Sequence, residues 1–288
     1  MKRPTALKLF PKDRVSDPGG FKRFQRETTV AGLIHHPNVV QAYDAREIDG
    51  RPILGMEYID GLSLAKLVDH GGPLRISDVC EVAQQVAMGL HHIDQLGLVH
   101  RDIKPANLML ARDGRVKIID LGLILIRRGR MTEDSEATPV GEFVGSPQYC
   151  APEQVGDCHN VDVRADLYGL GCTIFKLLTG GPPPAACEYP QVSNKIAAQV
   201  PRPAPPIREV RKDVPRRLAA VIDRLLAQDP QDRFGSAATA AEAFSRFRSG
   251  SDLAGQLARV MERMETYLNP DDLSSSSNRF QKESRPRG

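Results

Sequence analysis

The stretch LVHRDIKPANLML, residues 98–110, places an aspartate, a lysine and an asparagine at positions 102, 104 and 107. It follows a long apolar stripe of period 3.6 built by Ile76, Val79, Cys80, Ala83, Val86, Ala87, Leu90 and Ile93. That pattern predicts a core helix stopped by Gly97. Eighteen residues beyond Asp102, the run IIDLG ends at Asp120 and Gly122, so a second acid closes a short apolar strand. Asp102 is suited to accept a proton, with Lys104 as a cation beside it. Asn107 and Asp120 add oxygen donors. Mg²⁺ takes a few carboxylate and amide oxygens together with substrate phosphates, so the set suits metal-assisted phosphoryl transfer.

The gross composition narrows the class. A chain of 288 residues supports one large domain or two lobes. Its 41% hydrophobic and 26% charged residues are ordinary for a globular protein. A net charge of +3 is too small to argue for nucleic acid or an anionic membrane as partner. No apolar run approaches a bilayer span, and the N-terminus shows no secretory h-region. Cys80, Cys150, Cys158, Cys172 and Cys187 are odd in number and never in C-x-x-C, which fits reduced thiols in a cytoplasmic protein. Cys158-His159 lacks a second ligand pair, which argues against zinc. The adjacent pairs His35-His36 and His91-His92 cannot each face one ligand, and read as core or surface histidines.

Along the chain, residues 4–10 alternate like a strand, and Asp17-Pro18 opens a helix running to about Ile34. Strands are predicted over Val39–Ala45 and Pro52–Ile59, around an Asp49-Gly50 turn. Two short strands, Leu108–Leu110 and Val116–Ile119, flank Asp113-Gly114. Residues 127–146 are polar and aperiodic, which marks a long functional loop. Helices follow over Ala165–Leu178, Tyr189–Ala198, Arg216–Ala227 and Ala238–Phe247, with Pro201–Pro206 as a linker. An amphipathic helix spans 250–269, and residues 270–288 form a polar tail of disordered composition. The fold class is therefore α+β, with a small sheet lobe before a mainly helical lobe.

These motifs resemble the protein-kinase family, and most closely its bacterial eukaryotic-like Ser/Thr members. In H-R-D, Asp102 matches the residue that accepts the substrate hydroxyl proton, and Asn107 matches a metal ligand. Asp120 in D-L-G matches the other metal ligand, with Leu121 keeping an apolar side chain after it. Lys104 resembles the lysine that marks Ser/Thr specificity. GSPQYCAPE, 145–153, looks like the end of an activation segment, in which Ser146 bonds toward Asp102 and Lys104. The resemblance makes Asp166 a tie for the catalytic loop and Arg233 a partner for Glu153. It makes Arg101 a docking group for a phosphate on Thr132, Ser135 or Thr138. GMEYIDG, 55–61, resembles the hinge, with Met56 as gatekeeper, the backbone of Glu57 and Ile59 holding adenine, and Met109 under it.

Lys8, which interrupts the apolar run A-L-K-L-F, resembles the lysine of V-A-I-K that reaches the α- and β-phosphates, paired with Glu27. Only seven residues precede Lys8, and no G-x-G-x-x-G occurs in the chain. Losing one preorganised donor of that loop costs on the order of 10²–10³ in rate. It would also leave the Lys8 strand as an open, apolar sheet edge. The resemblance implies a Ser/Thr protein kinase domain over 1–249, N-terminally truncated. Its small lobe would cover 1–59, with about three strands and one helix, its hinge 57–61, and its large lobe 62–249. ATP and Mg²⁺, with Mn²⁺ as a substitute, would be the cofactors, and protein hydroxyls the acceptors. The competing readings are a pseudokinase or scaffold, and a small-molecule phosphotransferase. The peptide-kinase motifs at 145–153 and 162–180 argue against the second.

Overall fold

The computed structural model describes residues 3–10, 28–49, 51–121, 124–126, 146–156, 160–184 and 203–268. Strand β1 (Thr5–Leu9) pairs antiparallel with β3 (Arg51–Glu57), which pairs antiparallel with β2 (Ala42–Ile48). β3 is central because Pro52–Gly55 is buried throughout, whereas β1 alternates. Lys8 stands opposite Leu54, with Ala6 and Lys8 turned inward and Leu7 and Leu9 left 61% and 55% exposed. That is the open apolar edge expected of this strand. Asp49 takes φ +51 at the β2–β3 turn, a left-handed conformation that aspartate tolerates better than most residues.

Helix α1 is described over residues 28–33, and Val30, Ala31 and Ile34 are buried. A strap, residues 36–40, then crosses onto the large lobe. Asn38 O accepts from Ile118 N at 2.8 Å, and Ile118 O accepts from Val40 N at 2.9 Å. Asn38 Nδ2 donates to Val116 O at 2.9 Å and to Gln85 Oε1 at 3.0 Å. The predicted strand from Val39 therefore begins later, at Ala42. Val39 makes a single bridge to Ile118 because the strap's polar groups are engaged by the large lobe.

The large lobe is organised by two helices, α3 (Ile76–Gln95) and α5 (Val163–Thr179). The predicted stripe of α3 is buried from Val79 onward, with Ile76 half-buried, and Gly97 follows at φ +75, with its N–H on Asp94 O. α5 is apolar on nearly every face and runs through the centre. Asp162 caps its N-terminus through Arg164 N, and Gly180 takes the left-handed position past its end. Around them stand α2 (Leu64–Gly71), α4 (Pro152–Gly156), α6 (Ile207–Val210), α7 (Arg216–Leu225) and α8 (Ala237–Ser245). β4 (Gly61–Ser63), β6 (Leu108–Ala111) and β7 (Val116–Ile118) form a second sheet in the order β4-β6-β7. β5 (Leu98–Val99) pairs with β8 (Leu125–Ile126). The start of the predicted helix at Asp17, the predicted helix Tyr189–Ala198, and the tail 270–288 lie outside the described residues.

The last helix, α9 (Leu253–Leu268), is part of the core. Leu253, Leu257 and Val260 are 4%, 1% and 0% exposed, against α2 and β6. Gly71 makes room for it, since a Cβ there would stand 2.7 Å from Val260 Cγ2. Its entry is fixed by fully buried Asp78, which accepts Asp252 N at 2.7 Å and both Arg75 Nε and Nη2. No helix among the described residues is long and apolar enough to cross a membrane. Leu257→Ala is expected to destabilise the whole fold by about 2–5 kcal/mol through the cavity it leaves. Urea unfolding measures this, and a change within about 0.5 kcal/mol would show α9 to be an appendage instead.

Candidate functional site

The site is assembled on the loop between β5 and β6. Its backbone is held from below by Asp166, in the first turn of α5. The Asp166 carboxylate accepts His100 N at 2.9 Å and Arg101 N at 2.7 Å. Burial pushes this carboxyl up to about 7, while the two N–H donors and nearby Arg101 pull the other way. Gly169 lets α5 approach the loop, because a Cβ there would lie 2.8 Å from Ile103 O. The loop turns at Arg101, whose φ of +68 is unusual for a non-glycine residue, and Gln154 Nε2 donates to Arg101 O at 3.1 Å.

His100 is wholly buried, and desolvation lowers its pKa, so the ring is held neutral. Its Nδ1 accepts from Asp102 N at 3.3 Å, which leaves Nε2 to donate to Ile119 O at 3.3 Å. The ring thus ties the catalytic-loop candidate Asp102 to the strand that delivers Asp120.

Asp102 is the hub of the cluster. Its Oδ2 accepts from Lys104 Nζ at 2.6 Å and from Asn107 Nδ2 at 2.8 Å, and its Oδ1 accepts from Ser146 N at 3.1 Å. Lys104 Nζ also donates to Ser146 Oγ at 2.6 Å. Four residues expected to meet from sequence, Asp102, Lys104, Asn107 and Ser146, therefore stand together. Asn107 uses Nδ2 for Asp102 and leaves its carbonyl oxygen for another partner.

Beside this cluster, where Ile119 N donates to Asn107 O at 2.8 Å, Asp120 also takes a left-handed backbone, φ +62, and its Oδ1 accepts from Lys8 Nζ at 2.6 Å. Glu27, the expected partner of Lys8, lies outside the described residues, as do Thr132, Ser135 and Thr138. The Lys8–Asp120 pair is about a third to a half exposed, so it remains open to solvent and to ligand. Lys8, Asp120, Leu121, Ala31, Leu54 and Met56 line one cleft. Asp120 carboxylate and the Asn107 carbonyl are hard oxygen donors, a set that suits a divalent cation completed by phosphate and water.

The hinge candidates stand at the junction of the lobes. Ile59 is buried, and Met109 is half-buried on β6 opposite Ser63. The Glu57 backbone N–H donates to Gln41 O at 2.9 Å, so that group is engaged inside the small lobe. Its side chain, unforeseen in the sequence, accepts Lys117 Nζ of β7 at 2.8 Å. Further out, the expected pair of Glu153 and Arg233 is bidentate, at 2.6 and 2.9 Å, with Arg233 buried. Arg233 Nε, Nη1 and Nη2 also reach Ala227 O, Arg164 O and Gln228 O. Tyr168 lies under its guanidinium, 4.9 Å from the ring centre. Sequence reasoning missed Gln154, Gln85 and Lys117. Each is a lone polar residue with a partner 31 to 60 positions away, and no local spacing signals it.

Comparison with known proteins agrees with this geometry. The model of the protein kinase domain matches residues 1–245. The serine/threonine-protein kinase PknB of Mycolicibacterium smegmatis is 34% identical over 245 residues, covering 82% of this chain and 37% of the relative. PknE of Mycobacterium bovis is 34% identical over 232 residues, covering 81% and 39%. The chain thus spans under two-fifths of the length of these curated relatives. The crystal structure of the Mycobacterium tuberculosis PknI kinase domain superposes with a TM-score of 0.61 at 31% identity, covering 84% of this chain and 85% of that one. With the Asp102 cluster beside the Lys8–Asp120 pair, and the kinase model matched over residues 1–245, the chain belongs to the protein kinase domain family.

Proposed function

We propose that this chain transfers the γ-phosphoryl group of ATP to serine and threonine hydroxyls of protein substrates. The observation that carries this reading is the Asp102–Lys104–Asn107–Ser146 cluster beside the Lys8–Asp120 pair. Asp102 presents a carboxylate to the incoming hydroxyl and takes its proton as the P–O bond forms. Lys104, already on the Asp102 carboxylate, places positive charge where the transferring phosphoryl gathers negative charge. Ser146 fixes the Lys104 head group, and its own backbone N–H orients Asp102.

Asn107 and Asp120 would hold a divalent cation, Mg²⁺ or Mn²⁺. Bound there with the nucleotide, the ion would neutralise phosphate charge and orient the γ-phosphoryl group. Lys8 is within reach of Asp120, so nucleotide binding exchanges this carboxylate partner for a phosphate one. Met56, Glu57, Ile59 and Met109 bound the adenine end. Arg101, at the strained turn, remains the proposed docking group for a phosphorylated Thr132, Ser135 or Thr138. The proposed catalytic unit covers 1–249, followed by α9.

Asp102→Asn is expected to lower kcat by about 10²–10⁴-fold, with far-UV circular dichroism and ATP affinity unchanged. The assay is label transfer from γ-labelled ATP with Mg²⁺ to the chain and a generic protein substrate. Because no G-x-G-x-x-G occurs in this chain, the assay has to detect turnover about 10²–10³-fold below that of a kinase with such a loop. Label that persists in Asp102→Asn, or no label in either folded protein, would reject the reading. Lys8→Met is expected to weaken Mg-ATP binding about tenfold or more, roughly 1.4 kcal/mol, by isothermal titration.

A further inference from the structure

The strap carries an aromatic contact that the proposed chemistry does not use. His36 stacks on His92 of α3, with ring centres 5.2 Å apart and planes 22° from parallel. His36 Nδ1 accepts from Asn38 N at 3.1 Å, which requires that nitrogen to be unprotonated. The proton of the neutral ring therefore sits on Nε2. A second proton on Nδ1 would turn this acceptor into a donor facing another donor, beneath buried Asn38.

The surroundings disfavour that proton as well. α3 presents His91 and His92 to His36, and β7 presents Lys117. Lys117 is itself engaged by Glu57 of β3, at 2.8 Å. Among the described residues, buried His91 Nδ1 and His92 Nε2 have no hydrogen-bond partner. Burial, followed by the neighbouring His92, Lys117 and His91, lowers the pKa of His36 from its ordinary 6.5.

We propose that the His36–His92 stack is a proton-operated latch, which seats the 36–40 strap on α3 while His36 is neutral and releases it when His36 is protonated. Release has a defined path. His36 is two residues past buried Ile34, which follows α1, and Ala31 of α1 lines the same cleft as Lys8 and Asp120. Unseating the strap frees this wall of the cleft. The sign follows from proton linkage: a histidine whose pKa is lowered in the closed state binds fewer protons there than when released. Closure is therefore fully favoured above 6.5 and is lost as pH falls below it, until the closed form itself takes the proton. His100 shifts in the same direction, so global stability also falls in acid, and only a local readout isolates the latch.

The test is amide hydrogen exchange of the full chain from pH 7.5 to 5.5, corrected for intrinsic rates and read at residues 38–40 and 118. Opening at these amides is expected to rise by up to about tenfold per pH unit below 6.5. His36→Phe keeps a ring but removes both the acceptor and the titration. It is expected to show slightly weaker protection at pH 7.5 and no acid response at these amides. His92→Phe keeps a stacked ring and removes one of the groups that lower the His36 pKa, so protection at pH 7.5 persists and the acid response shrinks. Equal corrected protection across the range in the wild-type chain would overturn the proposal, and so would an undiminished acid response in His36→Phe. Should His36→Phe fail to fold, His92→Phe decides: a smaller response supports the latch, and an unchanged one rejects it.

Discussion

A single buried carboxylate sets the geometry on which the rest depends. Asp166 projects from the first turn of α5 and receives two consecutive backbone N–H groups, those of His100 and Arg101. Two adjacent N–H groups can converge on one carboxylate only if the chain between them curls tightly, and Arg101 has its left-handed φ at that point. The curl aims Asp102 at Ser146, Lys104 and Asn107 and brings His100 under Ile119. An exposed Asp166 would exchange with water. Its burial at 2% exposure makes these bonds the only economical arrangement for the charge.

The two lobes are joined behind the cleft as well as at the hinge. The strap threads between Gln85 and β7, and Gln85 answers both sides of it. Gln85 Oε1 accepts Asn38 Nδ2 and Val116 N, while Nε2 reaches Glu81 and Gly114 O. Glu57 and Lys117 add an ion pair across the same junction. With side chains 22% and 10% exposed, this pair is less screened than a surface pair, and it fixes direction more than it adds stability. The position of α1 relative to Asp120 is thus referred to α3, the most deeply buried amphipathic helix of the molecule.

Much of this was legible in the sequence, and the limits have physical causes. The α3 stripe announced itself because burial on one face of a long helix repeats every 3.6 residues. The α5 core helix and the residues 102, 104, 107, 120 and 166 could be read because their chemistry is tied to short motifs. The ion pair of Glu153 and Arg233 came from the same resemblance. Lys8 illustrates the boundary. Alternation placed it on a strand, but its bond to Asp120, 112 residues on, has no local signature. α2, α4 and α6 are too short to display a period, and β5 and β8 have two residues each. Amphipathicity revealed α9, whereas its place in the core depends on Asp78 and Gly71, residues that look ordinary in sequence. The His36–His92 stack was read as two unremarkable histidine pairs, since adjacency along the chain hides contact across it.

Arg233 places a different kind of limit on the molecule. All five of its N–H donors have partners: two on Glu153 and one each on Ala227, Gln228 and Arg164. A lysine offers three donors in another geometry, and an apolar residue would strand Glu153. Positions 153 and 233 therefore form one unit of variation, although 80 residues separate them. Drift at either one alone is closed off, and the segment ending at Glu153 inherits its mutational fate from a turn after α7.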